Sequence, residues 1–104
     1  MNTIIVDLDG TIADCNHRLH HIQNKPKNWK AFNSGYLKDT LIEPVFNVVC
    51  SLQKRNHIVI MTGREGSDQG RKDTEKWLNI NGIFHAREKD ARARLFYHEL
   101  IMRK

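Results

Sequence analysis

At 104 residues the chain has room for one domain with a real core, not for two. Its 39% hydrophobic and 28% charged residues suit a globular protein, and the longest apolar runs, "IIV" and "IVIM", are far too short to span a membrane. A net charge of +5 suits a phosphate-bearing partner, nucleotide or nucleic acid, and spreads over most of the chain, with ten Lys/Arg against seven Asp/Glu in residues 61–104.

The first residues lack a basic segment followed by an apolar one, so no secretory leader is read there. Cys15 and Cys50 have no C-x-x-C spacing, and the expectation is a reduced, cytoplasmic protein without membrane association.

In chain order, "TIIVD" (3–7) does not alternate and predicts a strand buried on both faces. It runs into "DLDGT". Residues 15–41 are polar, with Trp29, Phe32 and Tyr36 as scattered anchors, and read as a small cap-like insert over the strand ends. "EPVFNVVCSLQKRNH" predicts a helix with Pro44 at its first position; Val45, Val48, Val49 and Leu52 recur at helical spacing and Asn56 stops it. "IVIMTG" (58–63) is a second buried strand. A second helix follows in "SDQGRKDTEKWLNINGI", capped by Ser67 or Asp68 and stopped by Asn81-Gly82. The tail, 84–104, is expected to start as a charged helix and end in a strand, "ELIMR".

Strand, helix, strand, helix is the pattern of a single α/β domain over residues 1–104 with a short parallel sheet. Such sheets place ligands at the carboxyl ends of their strands. Asp7-Leu8-Asp9 and Thr62-Gly63-Arg64 both fall there, so two polar clusters converge on one edge.

Two aspartates one residue apart at a strand end are costly unless something offsets their charge. The first can attack phosphorus and form an aspartyl-phosphate. The second, swung inward by the turn at Gly10, can protonate the leaving oxygen and then activate water, worth roughly 10²–10⁴-fold. Thr62 and the following backbone N–H groups can hold phosphoryl oxygens, and Arg64 can grip phosphate with two parallel bonds. Two carboxylates and a phosphate within about 4 Å repel by several kcal/mol per pair at an effective dielectric near 20. A divalent cation with oxygen ligands, Mg²⁺, is the remedy.

"DLDGT" followed, after a strand–helix–strand interval, by "TGR" resembles the haloacid dehalogenase superfamily of phosphotransferases. More narrowly, "DGTIADCNHRLHHIQNKPKNW", "VIMTGREGS" and "RKDTEKWL" are similar to the phosphatase domain of bacteriophage polynucleotide kinases, over roughly residues 3–83 and into "YHELIMRK". The resemblance implies a Rossmannoid three-layer sandwich. It also implies Mg²⁺-dependent hydrolysis of nucleotides or nucleic-acid 3′-phosphate ends, in the host cytoplasm if the chain is phage-encoded.

Carried over, Asp7 is the nucleophile and metal ligand, and Asp9 the acid/base with its backbone carbonyl on the metal. Thr62, Gly63 and Arg64 contact the phosphate, as does Arg18 in the insert. Relatives continue beyond "YHELIMRK" into a lysine and one or two metal-binding acids, so the C-terminal motifs read as shortened here. Either Lys89, Arg92 or Arg94 stands in for the lysine and Glu88, Asp90 or Glu99 for the acids, or a second protomer or partner chain completes the site. The competing reading is a weakly active or inactive relative that binds phosphate, nucleotide or a partner protein.

The H-x-x-H-H of His17, His20 and His21 has zinc-like spacing without further ligands, and reads as insert packing. Trp29 and Phe32 could stack on a base but are taken as anchors of the insert. Trp77, at helical spacing with Ile80, is expected in the core.

Overall fold

The structure is a computed structural model and describes residues 2–104. Three parallel strands form the main sheet: β1 (Asn2–Asp7), β4 (Asn56–Glu65) and β7 (Glu99–Arg103), in the order β1-β4-β7. A short antiparallel pair, β2 (Ala13–Asp14) with β3 (Thr40–Leu41), closes the base of the insert, which carries α1 (His20–Gln23) and α2 (Trp29–Ser34). Helices α3 (Glu43–Leu52) and α4 (Asp68–Ile80) make the two crossovers, and β5 (Ile83–His85) pairs in parallel with β6 (Leu95–Tyr97). This mixed α/β arrangement with short parallel sheets is compatible with the Rossmannoid fold expected.

Both long helices form for the reasons legible in their sequences. Helix α3 starts with Glu43-Pro44, proline standing second rather than first, and buries Phe46 and Val49. It ends at Leu52, whose carbonyl accepts from the Asn56 side-chain amide at 2.8 Å. Helix α4 is capped by the Ser67 hydroxyl, which accepts from the Gly70 amide, and stops at Asn81 before Gly82 at φ +79°.

Two expectations need correcting. β1 is not buried on both faces: only Val6 is buried, and Ile5 is 62% exposed. The strand lies at the sheet's edge, and both helices pack on one face of the sheet. Val6, Ile58, Ile60 and Leu100 meet Phe46, Val49, Trp77 and Leu78 in a single core there. The register aligns Asp7 with Met61 and Met61 with Ile101, so Ile5, Met61 and Ile101 share the opposite face and are exposed.

The tail, secondly, contains no α-helix among the described residues. Lys89 adopts a left-handed φ of +50°, and the Asp90 carboxylate accepts from the Arg92 amide at 2.8 Å, a side-chain turn that competes with helix. No helix among the described residues is long and apolar enough to cross a membrane.

His98 ties the β6–β7 corner to β4: its Nδ1 accepts from the Ile58 amide at 3.0 Å, and its ring stacks on His57 at 4.2 Å. Burial, with the neighbouring His57 imidazole, holds His98 below its ordinary 6.5. The unfolded chain therefore takes this proton first. The contribution of neutral His98 is complete above about pH 6.5 and is lost as pH falls through the folded value. The fall in thermal midpoint between pH 7.5 and 5 should be shallower in His98→Asn, which keeps an acceptor near Nδ1. Equal slopes in the two proteins would remove His98 from the acid response.

Candidate active site

The turn after β1 is built by its own backbone. The Leu8 carbonyl accepts from the amides of Thr11, Ile12 and Ala13 at 3.3, 3.0 and 2.9 Å, and Gly10 sits at φ +80°, which a side chain would strain. Leu8, Ile12 and Ala13 are buried beneath the turn, which fixes its position on the sheet. Asp9 then points across the strand ends towards β4.

There it meets three donors. The Thr62 hydroxyl donates to Oδ2 at 3.0 Å, Arg64 reaches Oδ1 through Nη2 at 2.7 Å and through Nε at 3.1 Å, and Arg18 Nη2 donates to Oδ1 at 3.2 Å. The Thr62 oxygen in turn accepts from the Arg64 amide at 3.2 Å. The β4–β7 register slips between Thr62 and Glu65, an irregularity of the kind that re-aims side chains beside active sites.

Both arginines are buried, and the residue that makes this tolerable is Asp39, at the far end of the insert. Its carboxylate, wholly buried, accepts from Arg18 Nε at 2.8 Å and Nη2 at 2.7 Å, a bidentate pair. Arg64 Nη2 adds a bond at 3.3 Å and His17 Nε2 lies 2.6 Å from Oδ1, while the Asp39 carbonyl accepts from Trp77 Nε1 at 2.8 Å. Burial alone would lower the Arg18 pKa. The bonded Asp39 carboxylate, together with the nearby Asp9, more than offsets this and raises it above the ordinary arginine value. Tyr36 completes the cluster: its ring lies 4.0 Å from the Arg64 guanidinium and 4.7 Å from that of Arg18.

Arg18, Asp9, Thr62 and Arg64, far apart in sequence, are thus one hydrogen-bonded unit. Gly63 and Arg64 border a cavity of about 460 Å³ with Asp9, Trp29, Phe32, Asn33, Tyr36, Glu65 and Arg103. Asp7 stands apart from that unit. It is exposed at the end of β1, does not line this cavity, and its carboxylate has no hydrogen-bond or ion-pair partner among the described residues.

The tail residues considered as substitutes are elsewhere. Asp90 pairs with Arg92 at 2.7 Å on the surface, which pulls the Asp90 pKa down to about 2, and Arg94 reaches Glu43 at 3.4 Å. Glu88 and Glu99 line a separate polar cavity, and Lys89 a third. The tail residue at the site is instead Arg103, whose Nε donates to the Gly63 carbonyl at 3.0 Å. His17 serves Asp39, and no cluster of three or more His, Cys, Asp or Glu suited to a metal occurs among the described residues.

Asp39 and Arg103 escaped sequence reasoning. Asp39 lies 21 and 25 positions from the arginines it holds, and no local pattern marks it. Arg103 did carry a signal: it ends a strand parallel to the other two, so its carboxyl end falls on the same edge.

A family model matches the chain over residues 1–104: the polynucleotide kinase PNKP phosphatase domain. The chain belongs to that family. The match extends the resemblance across residues 84–96 and makes the chain a phosphatase domain of the haloacid dehalogenase type. No curated protein and no solved structure matches the chain.

Proposed function

We propose that the chain hydrolyses phosphomonoesters of nucleotides or nucleic-acid 3′ ends through an aspartyl-phosphate on Asp7. The observation that carries the reading is the pair of buried guanidiniums, Arg18 and Arg64, held between the carboxylates of Asp9 and Asp39 at the carboxyl edge of a parallel sheet. An Asp7 oxygen attacks phosphorus and the ester P–O bond breaks, with Asp9 protonating the leaving oxygen. Water then attacks the acyl phosphate, Asp9 takes its proton, and inorganic phosphate leaves with Asp7 restored. Thr62, Gly63, Arg64 and Arg18 hold the phosphoryl oxygens, and an incoming phosphate dianion competes with Asp9 for both guanidiniums.

The donor chemistry fits Mg²⁺. The Asp7 carboxylate is exposed and unpaired, whereas those of Asp9 and Asp39 are both met by arginine. Mg²⁺ commonly takes one or two carboxylates with water and substrate phosphate. Asp7 and the Asp9 backbone carbonyl would hold the ion, which would neutralise charge on the phosphoryl group.

A second reading, phosphate binding without turnover, draws on the full occupancy of the Asp9 oxygens by donors. One experiment separates the two: release of inorganic phosphate from adenosine 3′-monophosphate and a 3′-phosphorylated oligonucleotide. Release with Mg²⁺ that stops on adding EDTA is the expected result. Saturable binding with no release would replace the hydrolase with the binding module.

A further inference from the structure

Two of the three aromatic rings that the insert contributes to the cavity are already used. Phe32 carries the Arg18 guanidinium 4.3 Å from its centroid, and Tyr36 carries both arginines. Trp29 does not share that duty. It opens α2, is 52% exposed, and meets Phe32 edge-on, with centroids 5.7 Å apart and planes at 85°. Its nearest cation is Lys27 Nζ at 5.9 Å. An anchor of the insert would be buried, so the anchoring role expected for Trp29 does not hold. The indole instead lines the same cavity as Asp9, Gly63 and Arg64.

We propose that Trp29 is the stacking wall for the base of the terminal nucleotide whose phosphate sits on Arg18 and Arg64. This rests on the phosphatase reading above and adds what the site recognises beyond phosphate. A cavity of about 460 Å³ is of the size that holds small-molecule ligands. It joins a dianion cradle at one wall to a flat π-surface at another, and a nucleoside monophosphate has that combination of groups. Arg103 and Asn33 also border the cavity. The basic surface of the chain and Lys27 beside the indole favour a nucleic-acid end. Stacking is tolerant of base identity, so the wall would accept any of the bases.

The test uses intrinsic fluorescence, because Trp77 is 1% exposed and bonded to Asp39, leaving Trp29 as the tryptophan a ligand can reach. Adenosine 3′-monophosphate should quench the emission and compete with inorganic phosphate; glycerol phosphate should compete without quenching. Trp29→Ala should weaken binding of adenosine 3′-monophosphate by roughly 5- to 100-fold while inorganic phosphate binds unchanged, and Trp29→Phe should recover most of the loss. Nucleotide affinity within twofold of native in Trp29→Ala, with phosphate still bound, would overturn the stacking role alone. Phosphotyrosine bound through Trp29 as tightly as the nucleotide would assign the wall to aryl groups and overturn it too. If neither inorganic phosphate nor glycerol phosphate binds, the phosphate site itself fails and the proposal with it.

Discussion

Asp7→Asn should lose phosphatase turnover by on the order of 10³-fold or more, with its thermal midpoint almost unchanged. The amide cannot form the acyl phosphate, and the exchange also removes an unpaired carboxylate offered to a cation. Stability should be spared because the side chain is exposed at a strand end and holds nothing in place. Such surface replacements usually stay within about 0.5 kcal/mol. Phosphate release by purified Asp7→Asn and native protein, beside their melting curves, checks both halves. Turnover within tenfold of native would take the nucleophile's role from Asp7.

Asp39→Ala should have the opposite profile, with the fold itself at stake. Asp9 and Asp39 together balance Arg18 and Arg64, and both guanidiniums are nearly inaccessible to water. Removing one partner of a buried pair costs about 3–5 kcal/mol, because the remaining charge is left without compensation. A chain of this size has a total stability of roughly 5–15 kcal/mol. The thermal midpoint should drop by on the order of 10–20 °C.

Asp39→Asn, which keeps the shape and one acceptor, should lose less and leave a protein fit for binding assays. Its affinity for inorganic phosphate should change, since Arg18 loses its bidentate seat. An Asp39→Ala protein that melts with the native one would show that water reaches these arginines freely and that Asp39 does not organise the site.

The first prediction rests on a residue that was legible in the sequence; the second does not. "DLDGT" after an apolar run marks a strand end by local chemistry, because aspartate is disfavoured within a buried strand, whereas β4 runs on through "TGR" to Glu65 and the end expected at Thr62-Gly63 lies two residues later. Caps at Ser67 and Asn81-Gly82 are read from neighbours within a few positions, and the helix they bound, α4, was found accordingly. The tail failed as a helix because charged residues with good helix propensity were outweighed by the Asp90 turn and a left-handed Lys89. Trp29 and Trp77 show the limit of composition: one indole is solvent-facing at the cavity and the other is in the core.

The end of the first strand at its aspartates and the start and stop of α4 follow from interactions between near neighbours, and the amino-acid order alone determined them. Edge position of β1, the seating of two arginines on Asp39, and the arrival of Arg103 beside Gly63 were decided only by tertiary structure. These last depend on which strand lies next to which, and on polar groups that meet across 21 to 40 residues of chain. Long-range pairing is selected by burial and charge compensation in the assembled fold, for which no short stretch of sequence carries a signal.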